Sequence, residues 1–148
     1  MKIELNISEW ANVHNALDAR GLFPVYFPKR LEEMEKHLCV AERRIQGALE
    51  REGVQRILGL QDARGWEFKK SSASKKMSVE ITQEETASLY LFLVLINATC
   101  NDGGEYLGIS EIPYKLHERL KQVGAEVVLS QKDQVAWVLQ NGARISYS

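Results

Sequence analysis

Four lysines frame a run of small polar residues. Lys69, Lys70, Lys75 and Lys76 flank Ser71-Ser72-Ala73-Ser74, with Trp66 and Phe68 just upstream. Positive charge beside aromatic rings can neutralise phosphates and stack bases, so Lys69–Lys76 is a candidate nucleic-acid site. The competing reading is a solvated turn, which needs no ligand. The stretch is not a P-loop, because Gly-x-x-x-x-Gly-Lys is absent. A second cationic group is Arg43-Arg44, with Arg30 upstream. Guanidinium groups suit a small anion or an acidic partner; a charged helix face in water is the alternative.

Metal ligation would have to draw on His14, His37, Cys39, Cys100 and His117. Neither C-x-x-C nor H-x-x-x-H occurs, and His37 and Cys39, two apart on a helix, point to different faces. No metal or other cofactor is expected. Nucleophilic catalysis would need a cysteine or serine beside a histidine. Cys100 follows an apolar helical run, and the negative end of a helix raises a thiol pKa. Cys39 reads as a small apolar filler. There is no paired-carboxylate motif, G-x-S-x-G or dinucleotide fingerprint. The expectation is a protein that is not an enzyme. Tyr90, Tyr106 and Tyr114, with Asn97 and Asn101, could line a cleft.

The elements that must position these groups follow from periodicity. Thr82 opens a capping box with Glu85, and Glu84 and Glu85 favour the positive end of the helix dipole. Leu89 to Ile96 is then apolar on every face, so this helix needs protein all round it. Eight residues fall far short of the ~20 that cross a bilayer, so no membrane association is expected. Leu91→Asp or Leu95→Asp should prevent folding. Asn101-Asp102-Gly103-Gly104 turns the chain. Ser110 is the next N-cap, Pro113 sits in the first turn, and Gly124 ends a helix carrying Ile112, Leu116, Leu120 and Val123.

Upstream, Ile3, Leu5 and Ile7 alternate as a strand, and Ser8 and Glu9 start a helix through Trp10, Val13 and Leu17. Met77, Val79, Ile81 and Thr82 repeat this strand–cap–helix order. Leu22 to Pro28 reads as an extended, Pro-punctuated linker. Lys29 to about Glu52 carries the longest helix, roughly 36 Å. Its apolar stripe is Leu31, Met34, Leu38, Ala41, Ile45 and Ala48. The stripe packs either on the chain's own core or, through Leu31, Met34, Leu38, Ala41 and Ile45, on a second copy. Val54, Ile57, Leu58 and Leu60 continue as a short apolar helix. Trp66–Ile81 forms a hairpin with a long loop. Glu126–Ser130, Gln134–Leu139 and Ala143–Tyr147, joined in part by Asn141-Gly142, form an antiparallel meander.

Composition bounds the rest. The 148 residues suit one domain, 1–148, of α+β class: one long amphipathic helix and one buried apolar helix on a small antiparallel sheet. Formal net charge is −1, so no global field draws the chain to nucleic acid or anionic membrane. The start MKIELNIS has no apolar signal region, and two cysteines are expected to be reduced in a cytoplasmic protein.

The stretch V-E-I-T-Q-E-E-T-A-S-L-Y-L-F-L, followed by a Gly turn and a second helix with I-x-x-x-L-x-x-x-L, resembles a unit of small uncharacterised phage and bacterial proteins. The resemblance covers about a third of the chain and transfers no site residue. It implies a phage or mobile-element accessory protein, one that could counteract host defence. With the absence of catalytic motifs, the expected function is a self-associating interaction protein that binds a host protein or a small anionic ligand. The alternatives are nucleic-acid binding through Lys69–Lys76 and a small enzyme.

Overall fold

The computed structural model describes residues 1–20, 31–58, 64–67, 72–99, 108–129 and 135–146. Among them are four α-helices: α1 (Ile7–Asp18), α2 (Leu31–Arg51), α3 (Gln83–Thr99) and α4 (Ile112–Gln122). Seven strands accompany them: β1 (Lys2–Asn6), β2 (Gln55–Leu58), β3 (Arg64–Glu67), β4 (Lys76–Glu80), β5 (Glu126–Leu129), β6 (Val135–Val138) and β7 (Arg144–Ser146). The class is α+β, with every sheet antiparallel.

The two strand–helix units meet directly, because β1 pairs with β4 from Lys2↔Glu80 to Asn6↔Lys76. Met1 and Ile81 exchange both backbone bonds at 3.0 Å, and the Ile7 N–H donates to the Lys75 carbonyl at 2.9 Å. Bonding alternates along an antiparallel ladder. The odd residues Ile3, Leu5, Met77 and Val79 therefore bond inward to the partner strand. The even residues Lys2, Glu4, Asn6, Lys76, Ser78 and Glu80 turn their N–H and C=O groups to the outer edges. Side chains follow the same period: Ile3, Leu5, Met77 and Val79 are buried, while Lys2, Glu4, Lys76, Ser78 and Glu80 are exposed. The expected Trp66–Ile81 hairpin does not form. β3 pairs with β2 and β4 with β1, so the long-range partner displaces the sequence-adjacent one.

The Thr82–Glu85 capping box forms as read. The Glu85 N–H donates to Thr82 Oγ1 at 3.1 Å, and the Thr82 N–H donates to Glu85 Oε2 at 2.7 Å. α1 starts earlier than expected. Asn6, the last residue of β1, is its N-cap in place of Ser8, and the Asn6 N–H donates to Glu9 Oε1 at 3.0 Å. Likewise Glu111, not Ser110, precedes α4, with Pro113 in its first turn.

α2 and α4 end alike. Gly53 (φ 80°) bonds back to the Glu50 carbonyl and Val54 to the Leu49 carbonyl. Gly124 (φ 87°) bonds to Lys121 and Ala125 to Leu120. Both are Schellman turns in which glycine takes the left-handed conformation and an apolar residue folds back. The turn at Gly53 redirects the chain, so Ile57 and Leu58 lie in β2 opposite Gly65 and Arg64, not in the short helix expected over Val54–Leu60.

α3 explains its own composition. Leu89, Phe92, Leu93 and Ile96 join a core with Ile3, Leu5, Trp10, Val13, Leu17, Leu38 and Ile45. Its Ala87 and Leu91 join a second cluster with Met34, Leu120, Trp137, Leu139 and Ile145, under the β5–β6–β7 meander. A helix serving two cores has few positions left for water. Leu95 is only half-buried, so Leu91 is the more sensitive of the two leucines. Trp10 Nε1 donates to the Met77 carbonyl at 2.8 Å, tying α1 to β4 inside the core. No helix among the described residues is long and apolar enough to cross a membrane.

Candidate anion-binding cleft

α2 presents two faces, and the apolar one is occupied by the chain itself. Met34, Leu38, Ala41 and Ile45 are each at most 2% exposed. In this fold these four residues pack on the chain's own core, the first of the two readings of the stripe, and a second copy would have to open that core to reach them. Leu31 begins α2, but the surroundings of its side chain lie outside the described residues.

The outer face of α2 runs beside β4. Val40, Arg43, Arg44, Gly47 and Arg51 form one wall of a cleft of about 570 Å³, and Val79 and Glu80 form the other. Arg43, Gly47 and Arg51 are four residues apart in turn, so they share a stripe along the helix. At its centre Gly47 has no side chain. A Cβ built there would sit 3.7 Å from Arg51 Nη1, so the Arg51 guanidinium lies back across the glycine.

The three arginines differ in what they already hold. Arg44 Nη1 donates to Glu85 Oε2 at 3.0 Å and toward the Glu80 carbonyl at 3.4 Å. It therefore links α2, the start of α3 and the outer edge of β4. Arg43 and Arg51 are exposed and make no ion pair or hydrogen bond among the described residues. The Glu80 carboxylate on the facing wall is paired with the Met1 ammonium at 2.8 Å, a hydrogen bond that holds it below the usual carboxylate range. The cleft thus offers two uncommitted guanidinium groups, and its acidic neighbours already have cations.

The lysine group divides. Lys69 and Lys70 lie outside the described residues, and Trp66 is on β3 opposite Arg56. Lys75 Nζ is 2.9 Å from Glu52 Oε2, closing the end of α2 against β4. Lys76 is exposed on β4, opposite Asn6. Lys75 and Lys76 also differ in role, one held by a carboxylate and one in the sheet.

Among the other candidates, Cys39 is not merely a filler. Arg20, at the end of α1, spans α2: its Nη2 is 2.6 Å from Glu35 Oε1 and 3.2 Å from Cys39 Sγ, and its Nη1 is 2.6 Å from Glu42 Oε2. Burial pushes the Cys39 thiol up, and the Glu35 carboxylate pushes it further, opposite to what a nucleophile needs. Tyr90 packs edge-on against Trp137 at 5.4 Å, and His117 lies 5.2 Å from the same indole. Burial raises the Tyr90 hydroxyl above its ordinary pKa, with a smaller contribution from Tyr114. Tyr114 points outward, 70% exposed. The proposed Tyr–Asn cleft does not assemble among these residues: Tyr90 is packed against Trp137, Tyr114 and Asn97 are exposed, and Tyr106 and Asn101 lie outside the described residues. Cys100 is outside them as well. Among the described residues no three His, Cys, Asp or Glu side chains gather as a metal site.

The sequence reading found Arg43 and Arg44 but missed Gly47 and Arg51. The signal was present as R-x-x-x-G-x-x-x-R, a spacing that sets all three on one helical stripe. No family model matches the chain, and no curated protein or solved structure matches it either.

Proposed function

We propose that this chain is a non-enzymatic binding protein whose ligand is anionic and sits in the α2–β4 cleft. The observation that carries this reading is the pair Arg43 and Arg51, exposed and uncommitted on either side of Gly47, while Arg44 beside them is already paired. Guanidinium groups present fixed, forked donors that match carboxylate and phosphate oxygens. A cleft this open suits recognition better than catalysis, because it excludes little water from a bound group. The weak net charge of −1 means that attraction is local to the cleft, so binding should fade once salt shortens the Debye length.

Isothermal titration with inorganic pyrophosphate tests the reading. Binding is expected at low ionic strength, weakening as salt is raised. The Arg43→Gln/Arg51→Gln double variant is expected to lose about tenfold in affinity, roughly 1.4 kcal/mol. Unchanged affinity in that variant, with circular dichroism showing it folded, sinks the assignment. Nucleic-acid binding through Lys69–Lys76 gains less support, since Lys75 is held by Glu52.

A further inference from the structure

β4 is an edge strand among the described residues and lies along the same cleft, and most of its outward backbone groups have no partner among those residues. The alternation fixed by Met1–Ile81 and Ile7–Lys75 turns the N–H and C=O of Lys76, Ser78 and Glu80 away from β1. The Glu80 carbonyl has Arg44; the outward backbone groups of Ser78 have no partner among the described residues. The opposite edge differs. On β1 the Lys2 carbonyl accepts from Arg119 Nε at 3.1 Å, and the Asn6 N–H is taken by Glu9 at 3.0 Å. Between them the outward groups of Glu4 have no partner among the described residues, and its exposed carboxylate would repel an anion.

Resting on the anionic-ligand reading above, we infer that the ligand is an acidic, extended peptide segment of a partner protein. It adds to the β1–β4 sheet as a third strand beside β4. Main-chain pairing at Ser78 supplies the register, and acidic side chains meet Arg43 and Arg51. Strand addition to an open edge draws affinity from backbone bonds and selectivity from side chains at alternate positions. The spacing is compatible. Arg43 and Arg51 are eight residues apart on a helix, about 12 Å. Side chains four apart on one face of a strand are separated by about 13 Å. Lys76, exposed on β4, extends the positive side of this edge. An oligonucleotide would find the arginines but has no amide ladder to pair with the strand. This pairing sets a peptide apart from other anions.

The test uses a fluorescent peptide alternating Val or Thr with Glu, read by anisotropy on the full chain, with pyrophosphate titrated in parallel. Ser78→Pro deletes only an outward N–H, since that residue takes no bond from β1, and proline is tolerated on a sheet edge. Peptide affinity should fall at least about tenfold while pyrophosphate binding is unchanged. Arg43→Gln/Arg51→Gln should weaken both ligands. A peptide N-methylated at alternate residues tests the pairing without altering the protein: one methylation register should abolish binding and the other preserve it. Peptide binding indifferent to Ser78→Pro and to both methylation registers overturns the strand-addition inference and leaves the anion reading standing. Indifference of both ligands to the arginine substitutions overturns the anion reading itself. No peptide binding, or a single-stranded oligonucleotide that binds tighter and displaces the peptide, also overturns the inference.

Discussion

The β1–α1 and β4–α3 junctions are built to one plan and closed differently. In each, a strand feeds a helix whose third residue is a glutamate bonded back to the N-cap N–H: Glu9 to Asn6, Glu85 to Thr82. In each, a carbonyl at the sheet edge and the capping carboxylate are covered by cations from another helix. At β1–α1 that takes two side chains of α4, with Lys115 Nζ 2.6 Å from Glu9 and Arg119 Nε 3.1 Å from the Lys2 carbonyl. At β4–α3 a single side chain of α2, Arg44, reaches both Glu85 and the Glu80 carbonyl. Lys2 and Glu80 are cross-strand partners, so the two covered carbonyls lie at one end of the sheet on opposite edges, Glu80 next to the helix its strand feeds and Lys2 at the far end of β1 from α1. One Arg44 nitrogen, Nη1, serves both acceptors, while Arg43 and Arg51 on the same helix make no ion pair or hydrogen bond among the described residues. The difference marks β4 as the open side of the sheet.

The comparison breaks if the two capping carboxylates prove equivalent. The Glu85 side chain is 5% exposed and meets both the Thr82 N–H and Arg44. Glu85→Ala removes the more buried of the two carboxylates, 5% exposed against 16% for Glu9, and leaves the part-buried Thr82 N–H without its acceptor, a loss of about 2 kcal/mol. Glu9→Ala removes a cap whose cationic partner, Lys115, is 47% exposed and rehydrates readily. The loss there should be about 1 kcal/mol. Urea unfolding of both variants measures the difference. Equal losses would mean that the single-arginine closure is no tighter than the two-cation one.

What the sequence discloses here tracks the distance between partners. The Thr82–Glu85 box is legible because both members lie within one helical turn, and the Gly53 and Gly124 helix ends are legible for the same reason. Alternation identifies β1 and β4 as strands. It does not say that they pair, and adjacency along the chain pointed Trp66–Glu67 at β4 instead of β2. The α2 stripe is legible as a face that must be covered. Leu38 and Ile45 look the same whether a second copy or the chain's own α3 covers them, and only the fold decides. Half of the candidate cleft is legible as charge at Arg43 and Arg44. Its other wall, Val79 and Glu80, comes from β4, and no local pattern couples it to α2. The part played by Gly47 is invisible too, since a helix-interior glycine signals only weakness until Arg51 is seen lying over it.

Acid should loosen the β1–α1 junction more gently. Burial alone would raise the Glu9 carboxyl. The hydrogen bonds from Lys115 and the Asn6 N–H, with the charges of Lys115 and Lys76, outweigh it and hold the group below its ordinary value of 4.5. A carboxyl lowered in the folded state stabilises the fold above its unfolded pKa and loses that contribution as pH falls through the folded pKa. Melting temperatures of wild type and Glu9→Gln should therefore differ most at neutral pH and converge as pH falls below 4.5 and through the folded pKa. A gap that stays constant across this range would show that Glu9 acts through shape and not through charge.

The smallest expected effect has the opposite sign. Gly47 lies inside α2, where glycine costs about 0.5–1 kcal/mol relative to alanine through backbone entropy. An added Cβ would meet only Arg51 Nη1, at 3.7 Å, an ordinary contact with the mobile end of a side chain. Gly47→Ala should therefore stabilise the protein by roughly 0.5–1 kcal/mol, read as a higher urea midpoint with an unchanged slope. It should also leave pyrophosphate affinity within about twofold, since one methyl group barely narrows so open a cleft. Gly47→Leu carries the same helical gain but projects into the space Arg51 crosses. It should keep the stability and lose the affinity. If both variants bind as wild type does, the open centre of the arginine stripe is not where the anion sits. The two uncommitted arginines on α2 would then be no more than a solvated helix face.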